Sequence, residues 1–232
     1  MNKRNKFSIS IILPFLNEIN SLKKTIAILE KIKFQKEYII IYSNKLTNKK
    51  NKLELQKLKK SFKNLRYFSQ IKPFVGGAID LGIKKSKLKF IAIMASDLET
   101  NPNELIKMIR ISLKNSNSII SADRWLSQKG FSNYGIIKYF ANFFFQKLIK
   151  LFFKYEILDF TFAYRIYPCK ILKNCSITEL RHGFALELLL KPMRMGCDII
   201  TIPATWRKRV EGTSSISIRS YLSYLKVLFK NL

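Results

Sequence analysis

Cysteine and histidine are scarce in this chain of 232 residues, which holds three cysteines and one histidine. An odd number of cysteines without metal-ligand spacing argues against a disulfide framework, and one histidine does not complete a zinc site with them. The four residues are Cys169, Cys175, Cys197 and His182. We therefore expect a reduced, cytosolic chain whose chemistry depends on other side chains.

Acidic residues are also few, because 43 Lys and Arg face only 15 Asp and Glu, for a net charge of +28. Such a charge favours an anionic partner: a nucleic acid, an acidic membrane face or a phosphorylated substrate. The accompanying abundance of Lys, Ile and Asn is also what a biased genome composition would produce. Since the sequence has no helix-turn-helix, zinc-finger or RNP signature, we predict that it binds no nucleic acid.

Long hydrophobic runs are missing too. No run reaches the roughly 18–20 apolar residues that span a bilayer, and the most apolar region, residues 139–162, is interrupted by charges. The amino-terminal MNKRNKFSISIILPFLNE starts with basic residues, but its apolar run is short, is broken by Pro14 and lacks a small-residue cleavage site. We interpret it as a first strand rather than a signal peptide, and we expect any membrane contact to be peripheral.

Apolar strands and amphipathic helices alternate through the first half of the chain. The pattern predicts helix one over residues 17–33, a solvated loop over residues 44–52, and strands over residues 7–13, 38–42, 65–68, 90–94 and 118–121. This alternation predicts an α/β protein with a mostly parallel sheet flanked by helices. Because no repeat or low-complexity linker divides the chain, we predict a single domain over residues 1–232.

The segment FIAIMASDLETNP, residues 90–102, places Asp97 and Glu99 directly after an apolar strand. Asn101 and Pro102 then predict the N-cap and the first residue of a helix, with Glu104 adding acid to its first turn. Because open α/β sheets bind ligands outside the carboxyl ends of their strands, the two acids indicate a metal or phosphate site. A solvated loop capped by these acids explains the segment alone equally well.

Aromatic and basic residues are mixed in IIKYFANFFFQKLIKLFFKY, residues 136–155, and again in residues 218–232. Both stretches predict amphipathic helices. One interpretation is a core helix whose lysines face solvent. The other is a helix lying at the membrane surface, with its apolar side inserted and its lysines on anionic headgroups. The presence of two such stretches favours membrane contact more than either does alone.

Seven segments in order resemble the inverting glycosyltransferases of family 2, most closely the dolichol-phosphate mannose synthase-like branch that loads sugars onto polyprenyl phosphates. They are ISIILPFLNEINSL (9–22), GGAIDLG (76–82), FIAIMASDLETNP (90–102), SADR (121–124), LDFTFAYRIY (158–167), HGFALELLLKPMRMG (182–196) and IPATWRKRVEGTSSI (202–216). The resemblance implies a GT-A fold that holds a nucleotide-sugar and a divalent metal, Mg²⁺ or Mn²⁺. Residues 1–122 would bind the nucleotide-sugar, and residues 123–232 would face the acceptor and the membrane.

On the donor side, the resemblance implies that the first strand supplies residues that frame the nucleotide base and ribose. It also implies that the glycine segment belongs to the same binding site. The residues concerned are Pro14, Asn17, Glu18, Gly76, Gly77 and Ala78. After the second strand, where the family usually reads D-D-G-S, this chain reads YSNK over residues 42–45, so Tyr42 and Ser43 replace expected acids.

At the family's D-x-D metal motif the chain reads Ala95-Ser96-Asp97, so the first acid is missing. Mg²⁺ and Mn²⁺ take hard oxygen ligands and obtain several from water and from a substrate's diphosphate. We therefore expect Asp97 and Glu99 to hold the metal as a displaced acidic pair. The alternative is that metal binding is lost and the fold persists as a partner subunit.

On the acceptor side, the resemblance implies that Arg124 and Arg209 match family arginines that approach phosphates, and we expect Lys138, one turn into the next helix, to assist them. With Asp97, the two arginines form the predicted catalytic set. Arg165 and Glu187 also match family positions, and an internal ion pair explains them equally well. The family's G-E-S-K run reads GTSS over residues 212–215, so a cation is missing there.

The function implied is the transfer of a sugar, with inversion and metal assistance, from a nucleotide-sugar to a polyprenyl phosphate. Such a protein would be peripheral on the inner face of the cytoplasmic membrane, on an anionic membrane surface, where a membrane-anchoring partner protein could hold it. The alternative is a catalytically impaired member of the same fold that serves as a partner subunit or scaffold.

Overall fold

The computed structural model describes residues 7–153, 156–212 and 218–232, with the backbone alone of Ile218. The strands are β1 (Ser8–Phe15), β2 (Gln35–Tyr42), β3 (Leu65–Ser69), β4 (Phe90–Ile93), β5 (Ile119–Asp123), β6 (Phe131–Ser132), β7 (Arg165–Pro168), β8 (Ile199–Pro203) and β9 (Trp206–Arg207). The helices are α1 (Ile19–Leu29), α2 (Lys49–Ser61), α3 (Phe74–Lys85), α4 (Pro102–Lys114), α5 (Ile136–Phe152), α6 (Cys169–Lys173), α7 (Phe184–Arg194) and α8 (Ile218–Lys230).

Seven of these strands form one sheet in the order β3-β2-β1-β4-β7-β5-β8. The neighbours β1–β2, β1–β4, β2–β3 and β5–β8 run parallel, whereas β7 is antiparallel to both β4 and β5. The expected mostly parallel sheet flanked by helices is therefore confirmed. The sheet takes strands from both predicted parts of the chain, and its carboxyl-end loops at β1, β2, β3 and β4 meet at one edge.

The first strand is apolar throughout because both of its faces are covered by helices. Ile11 joins a core cluster that includes Leu22 of α1 and Leu105 of α4, whereas Ile12 joins a second cluster that includes Ile79 of α3. A Cβ at Gly82 of α3 would lie 2.5 Å from the Ile12 side chain, so α3 approaches β1 closely only because this residue is glycine.

The local patterns predict where most elements lie, although several bounds shift. Helix α1 covers 19–29 rather than 17–33, and α2 begins at Lys49, inside the predicted loop. The predicted N-cap is confirmed, since the Asn101 side chain accepts a hydrogen bond from the Asn103 N–H at 3.1 Å and Pro102 follows as the first helical residue. The antiparallel β7, between β4 and β5, was not predicted.

The two amphipathic stretches form α5 and α8, which pack on each other and on α7. Ile149, Leu189 and Leu228 share one buried cluster, and the rings of Phe145 and Tyr224 lie 5.5 Å apart. Residues 154–155, at the end of the first stretch, lie outside the described residues. Within the described part of the chain, every helix falls short of the length and hydrophobicity that a bilayer crossing requires.

Candidate active site

A cavity of about 1420 Å³ opens where β1, β2, β3 and β4 reach their carboxyl ends. Its walls include Pro14 near the end of β1, Ser43 after β2, Ser69 at the end of β3 and Met94 after β4. The volume exceeds the roughly 300–1,000 Å³ of a typical pocket for one small ligand. The cavity therefore has room for two substrates side by side.

Seven basic side chains and three carboxylates line this cavity. The basic ones are Lys45, Lys72, Arg124, Lys138, Arg181, Lys208 and Arg209, and the acidic ones are Glu18, Asp97 and Glu99. The excess of positive charge favours anionic ligands, because walls of low dielectric strengthen the attraction. Part of the chain's excess positive charge therefore lies on the wall of this cavity, a location that composition alone could not show.

The predicted acidic pair lies on the cavity wall, where both carboxylates bind Arg209. The Arg209 Nη2 lies 3.2 Å from Asp97 Oδ2, and its Nε lies 2.8 Å from Glu99 Oε1. Between the two acids, Leu98 has a φ of 64°, in the left-handed region that side chains other than glycine rarely adopt. Residues predicted separately for metal and for acceptor phosphate are thereby brought together in one cluster.

A backbone segment, residues 206–212, carries Arg209 across the cavity. Its Trp206 forms a bridge with Thr100, and the Arg207 N–H donates to the Glu99 carbonyl at 3.1 Å. At its other end the Glu211 carboxylate accepts from the backbone N–H of Asn20 and of Ser21, in the first turn of α1. The segment is therefore attached on both sides of the cavity. Residues 213–215 of the predicted G-E-S-K replacement lie outside the described residues.

The corner around Asp97 carries more negative charge than Arg209 neutralises. Burial, then the charge of Glu99, raises the pKa of Asp97 to about 6 against the opposing effect of Arg209, and Glu18 adds to the rise. Close to the same corner, burial and the charges of Arg209 and Arg181 lower the pKa of His182. We therefore expect a neutral His182 at pH 7.

The first-strand residues fall into two groups. Pro14 and Glu18 line the cavity, and the one hydroxyl proton of Ser96 is shared between two acceptors, the Pro14 carbonyl at 2.5 Å and Glu18 Oε1 at 2.8 Å. Asn17 binds the loop after β2 instead, since its Nδ2 donates to the Leu46 carbonyl and its Oδ1 accepts from the Asn48 N–H. Its assignment to the nucleotide remains a prediction.

Of the glycine segment, Ala78 lines the cavity, whereas the two glycines before it serve close packing. A Cβ at Gly76 would lie 2.6 Å from the Glu179 carbonyl oxygen, and one at Gly77 would lie 2.4 Å from the Lys72 carbonyl oxygen. The small size of these residues thus allows α3 to approach two loops. Their contact with a nucleotide remains a prediction.

Arg124 is buried in a polar cluster at the carboxyl end of β5. Its Nε and Nη2 bind the two oxygens of Asp159 at 2.6 and 2.9 Å, and its guanidinium carbon lies 4.7 Å from the ring centre of Phe162. Lys138, one turn into α5, also lines the cavity. Both residues therefore line the cavity, although Arg124 already has an internal counter-ion, and their role toward an acceptor remains a prediction.

Arg165 and Glu187 have separate partners. Arg165 donates to the carbonyls of Ala185 and Phe160, while the Glu187 carboxylate pairs with Lys191 at 2.6 Å. Burial would raise the pKa of Glu187, but hydrogen bonds from Lys191, Thr178 and the Glu179 N–H lower it below its usual value. Glu187 thus belongs to an internal ion pair and Arg165 to a buried hydrogen-bond network.

Sequence reasoning missed three residues of the site: Arg181 and Lys72 on the cavity wall, and Asp159 behind it. The Arg181 guanidinium carbon lies 3.8 Å from the ring centre of Phe74, which has a φ of 62°, and Lys72 pairs with Asp80 at 2.9 Å. Asp159, the partner of Arg124, lay inside the quoted segment LDFTFAYRIY without being singled out. The only available signal was an acid within a matched segment.

A divalent cation does not fit the acidic pair as it is arranged. Both carboxylates bind Arg209, and the position of the missing acid is a methyl group, Ala95. Among the described residues there is no group of three or more His, Cys, Asp or Glu side chains that could hold a metal ion. That Asp97 and Glu99 hold Mg²⁺ or Mn²⁺ therefore remains a prediction without structural support.

With fold and cavity in place, comparison with known proteins decides the family. The chain matches Glycosyl transferase family 2 over residues 10–176, well over half of its length. The chain belongs to glycosyl transferase family 2. It is thus a glycosyltransferase of the kind that uses nucleotide-sugar donors, and the cavity at the sheet edge is its candidate donor site.

Solved structures support the fold of this family 2 glycosyltransferase. Glucosyl-3-phosphoglycerate synthase from Mycobacterium tuberculosis, in complex with Mn²⁺ and UDP-glucose, has a TM-score of 0.72 and 14% identity, over 97% of this chain and 79% of that one. TarS 1–349 from S. aureus, in complex with UDP-GlcNAc, gives 0.64 and 14%, over 97% and 66%. A mycobacterial protein gives 0.70 and 15%, over 97% and 74%. The expected GT-A fold is confirmed, whereas the polyprenyl-phosphate branch is not.

Proposed function

We propose that this glycosyltransferase moves a sugar from a nucleotide-sugar, UDP-linked in the first instance, to a membrane lipid phosphate of the polyprenyl type. The observation that carries the proposal is the course of the cavity. It runs from the sheet edge to the helix pair α5 and α8, where Lys138, Phe145, Tyr221 and Tyr224 line it. A phosphate bound among the cations would thus lie beside an apolar passage toward these helices.

The outer face of the helix pair supports a lipid acceptor. Along α5, an apolar stripe at helical spacing faces solvent, and α8 adds two more exposed apolar side chains. The exposed fractions are Ile137 82%, Phe140 50%, Phe144 66%, Leu151 77%, Leu222 57% and Phe229 64%. The exposed Lys138 and Lys147 of α5 flank this stripe. Such a face suits an anionic membrane surface, with rings among the acyl chains and lysines at the headgroups.

The reaction needs little proton chemistry. A phosphate oxygen of the acceptor attacks the anomeric carbon, the new C–O bond forms as the bond to the diphosphate breaks, and the nucleoside diphosphate leaves from the opposite face. The attacking oxygen is already anionic near neutral pH, so no general base is required. The chain would contribute orientation and charge: Lys138 near the acceptor, and the cations around the donor corner for the leaving group.

The exposed apolar face of α5 and α8 is also the basis for a proposed location of the protein. We propose a peripheral position on the inner side of the cytoplasmic membrane, where nucleotide-sugars are present and anionic lipids match the basic chain. A membrane-anchoring partner protein is compatible with this position.

Transfer of labelled sugar tests the proposed reaction. Purified protein is mixed with UDP-glucose, UDP-GlcNAc or GDP-mannose and vesicles that contain undecaprenyl phosphate, and the lipid product is separated. The matched control is undecaprenol, which has the same chain without the phosphate. We expect product only with the phosphate, and only with one nucleotide. Transfer to both lipids would contradict the phosphate's role, and no transfer from any donor would reject the proposed function.

Vesicle flotation tests the membrane face. We expect the protein to float with vesicles of phosphatidylglycerol and phosphatidylcholine. The double change Phe140→Ser and Phe144→Ser should lower the bound fraction about fivefold or more, because each ring loses roughly 2 kcal/mol of apolar transfer. The control is Leu53→Ser on α2, an exposed leucine on a helix that packs beside the edge strand β3. An equal effect of both changes would show that the stripe has no special role.

The second candidate function is a partner subunit without catalysis. Specific observations favour it: Tyr42, Ser43 and Ala95 stand where the family has acids, and Arg209 binds both Asp97 and Glu99. Calorimetric titration with UDP and GDP, each with and without Mn²⁺, distinguishes the two functions. Binding of one nucleotide supports the enzyme, and no binding under any condition supports the subunit.

A further inference from the structure

The arrangement of Arg209 explains how the donor corner is built without an obvious metal site. Its guanidinium lies between Asp97 and Glu99, at 3.2 and 2.8 Å, where the two carboxylates would otherwise face each other across the cavity wall. One guanidinium thus binds two carboxylates, and its planar, forked set of N–H donors suits this task better than an ammonium group does. The chain itself therefore places a positive charge between the two carboxylates.

The position of Arg209 is fixed by the backbone rather than by its ion pairs alone. Two backbone contacts, Trp206 with Thr100 and Arg207 with Glu99, hold the segment before it, and Glu211 anchors the segment after it on α1. Arg209 lines the cavity, and 23% of its side chain remains exposed. The cation is thus preorganised, so little reorganisation is needed when an anion arrives.

The charge of the whole cavity favours binding of a diphosphate. Of the seven basic side chains on its walls, Arg124 and Lys72 are paired with Asp159 and Asp80 behind the wall, so the other five exceed the three acidic side chains by two positive charges. A nucleoside diphosphate brings about two to three negative charges near pH 7, and this surplus balances most of that charge.

We propose that Arg209 replaces the divalent cation of this donor site. It neutralises Asp97 and Glu99 and presents its guanidinium to the donor's diphosphate, so the chain binds a nucleoside diphosphate without added metal. This inference rests on the proposed nucleotide-sugar donor. It also predicts that removing Arg209 exposes an acidic pair that attracts a metal.

Mn²⁺ alone provides the first test, with electron paramagnetic resonance to measure free Mn²⁺ and no nucleotide present. We expect Arg209→Ala to bind Mn²⁺ about tenfold or more tightly than the unchanged chain, because a cation between two carboxylates has been removed. Lys208→Ala is the matched control: it removes the same charge from the same cavity and should change Mn²⁺ affinity by about threefold at most. Equal Mn²⁺ affinity in the unchanged chain and Arg209→Ala would overturn the proposal.

Titration with UDP and with GDP provides the second test, in EDTA and in Mn²⁺. For the unchanged chain, we expect nucleotide affinities in EDTA and in Mn²⁺ that agree within about twofold. For Arg209→Ala, we expect the affinity in EDTA to be about tenfold weaker, and we expect Mn²⁺ to restore part of it. Binding by the unchanged chain that is tenfold tighter in Mn²⁺ would overturn the proposal.

The outcomes separate this inference from the proposed function. If neither nucleotide binds in any condition, the proposed function fails, while the Mn²⁺ measurement still decides whether Arg209 occupies a cation's place. Circular dichroism confirms that each variant is folded. Arg209→Gln, which keeps a polar side chain of similar length, substitutes for Arg209→Ala if the latter does not fold, with the same expected direction in both tests.

Discussion

Arg124 and Asp159 form an ion pair that is nearly closed to solvent, and breaking it gives a stability prediction that the geometry makes sharp. The exposed fractions of the two residues are 4% and 0%, and the guanidinium binds both carboxylate oxygens at 2.6 and 2.9 Å. Each charge depends on the other. Burial alone would raise the pKa of Asp159, but the charge of Arg124 outweighs burial and lowers it. Each partner therefore solvates the other in place of water.

Replacing Asp159 by Asn removes the charge but keeps the side chain's shape. It leaves the Arg124 guanidinium buried without its counter-ion, and such uncompensated burial costs about 3–5 kcal/mol of unfolding free energy. Urea unfolding should show this loss as a midpoint lower by about 1–2 M for a chain of this size. Circular dichroism and tryptophan fluorescence should give the same midpoint.

A double-mutant cycle separates the ion pair from simple loss of packing. Arg124→Met removes the cation while filling space, so the double variant Arg124→Met with Asp159→Asn removes both charges of the pair. We expect the double variant to be no less stable than Asp159→Asn alone, with a coupling energy of about 2 kcal/mol or more. A loss below about 1 kcal/mol for Asp159→Asn, or additive losses in the cycle, would refute the reasoning that the pair is closed to solvent.

Three further predictions concern other described residues. Gly76→Ala should lower unfolding free energy by about 1–3 kcal/mol in thermal denaturation, because its Cβ would meet the backbone of Leu180 at 2.7 Å; unchanged stability would show that α3 can shift. Glu211→Gln should cost about 0.5–1 kcal/mol in urea unfolding, because a carboxylate that accepts from the Ser21 N–H at the start of α1 loses its charge; a gain would contradict this anchor. Burial, then the charge of Asp159, raises the pKa of Asp123 to about 6 from 3.8, so its folded form retains the proton more strongly and its contribution to stability falls as pH rises through that range. The unfolding free energy of the unchanged chain, minus that of Asp123→Asn, should therefore fall by about 1–2 kcal/mol between about pH 4.5 and pH 7. A rise in this difference, measured by urea unfolding, would contradict the raised pKa.

The sequence predicts what depends on neighbours along the chain. Residues 9–13 alternate between two buried faces, and the Asn101–Pro102 pair predicts the start of α4, because capping depends on residues a few positions apart. The position of Asp97 and Glu99 on the cavity wall follows in the same way from their place after β4.

Long-range partners were beyond that reasoning. Asp97 and Arg209 were each predicted to meet a ligand, yet they bind each other across more than a hundred residues of chain. Gly76 was assigned to the nucleotide, whereas its lack of a side chain serves a contact with the 179–180 backbone. A single sequence contains the residue types for such contacts but not the distances, because the folding of distant segments sets them.

Strand β7 has a consequence for the order in which the sheet can be completed. It lies between β4 and β5, so the hydrogen-bonding edge of β4 has no sheet partner on that side until Arg165–Pro168 has been synthesised. Until then β5 has no strand through which to join the amino-terminal sheet, and the exposed edge of β4 is open to pairing with another chain. During synthesis the amino-terminal strands β1 to β4 can assemble first, whereas closure of the sheet waits for a late strand, a topology that lengthens folding and prolongs the risk of aggregation.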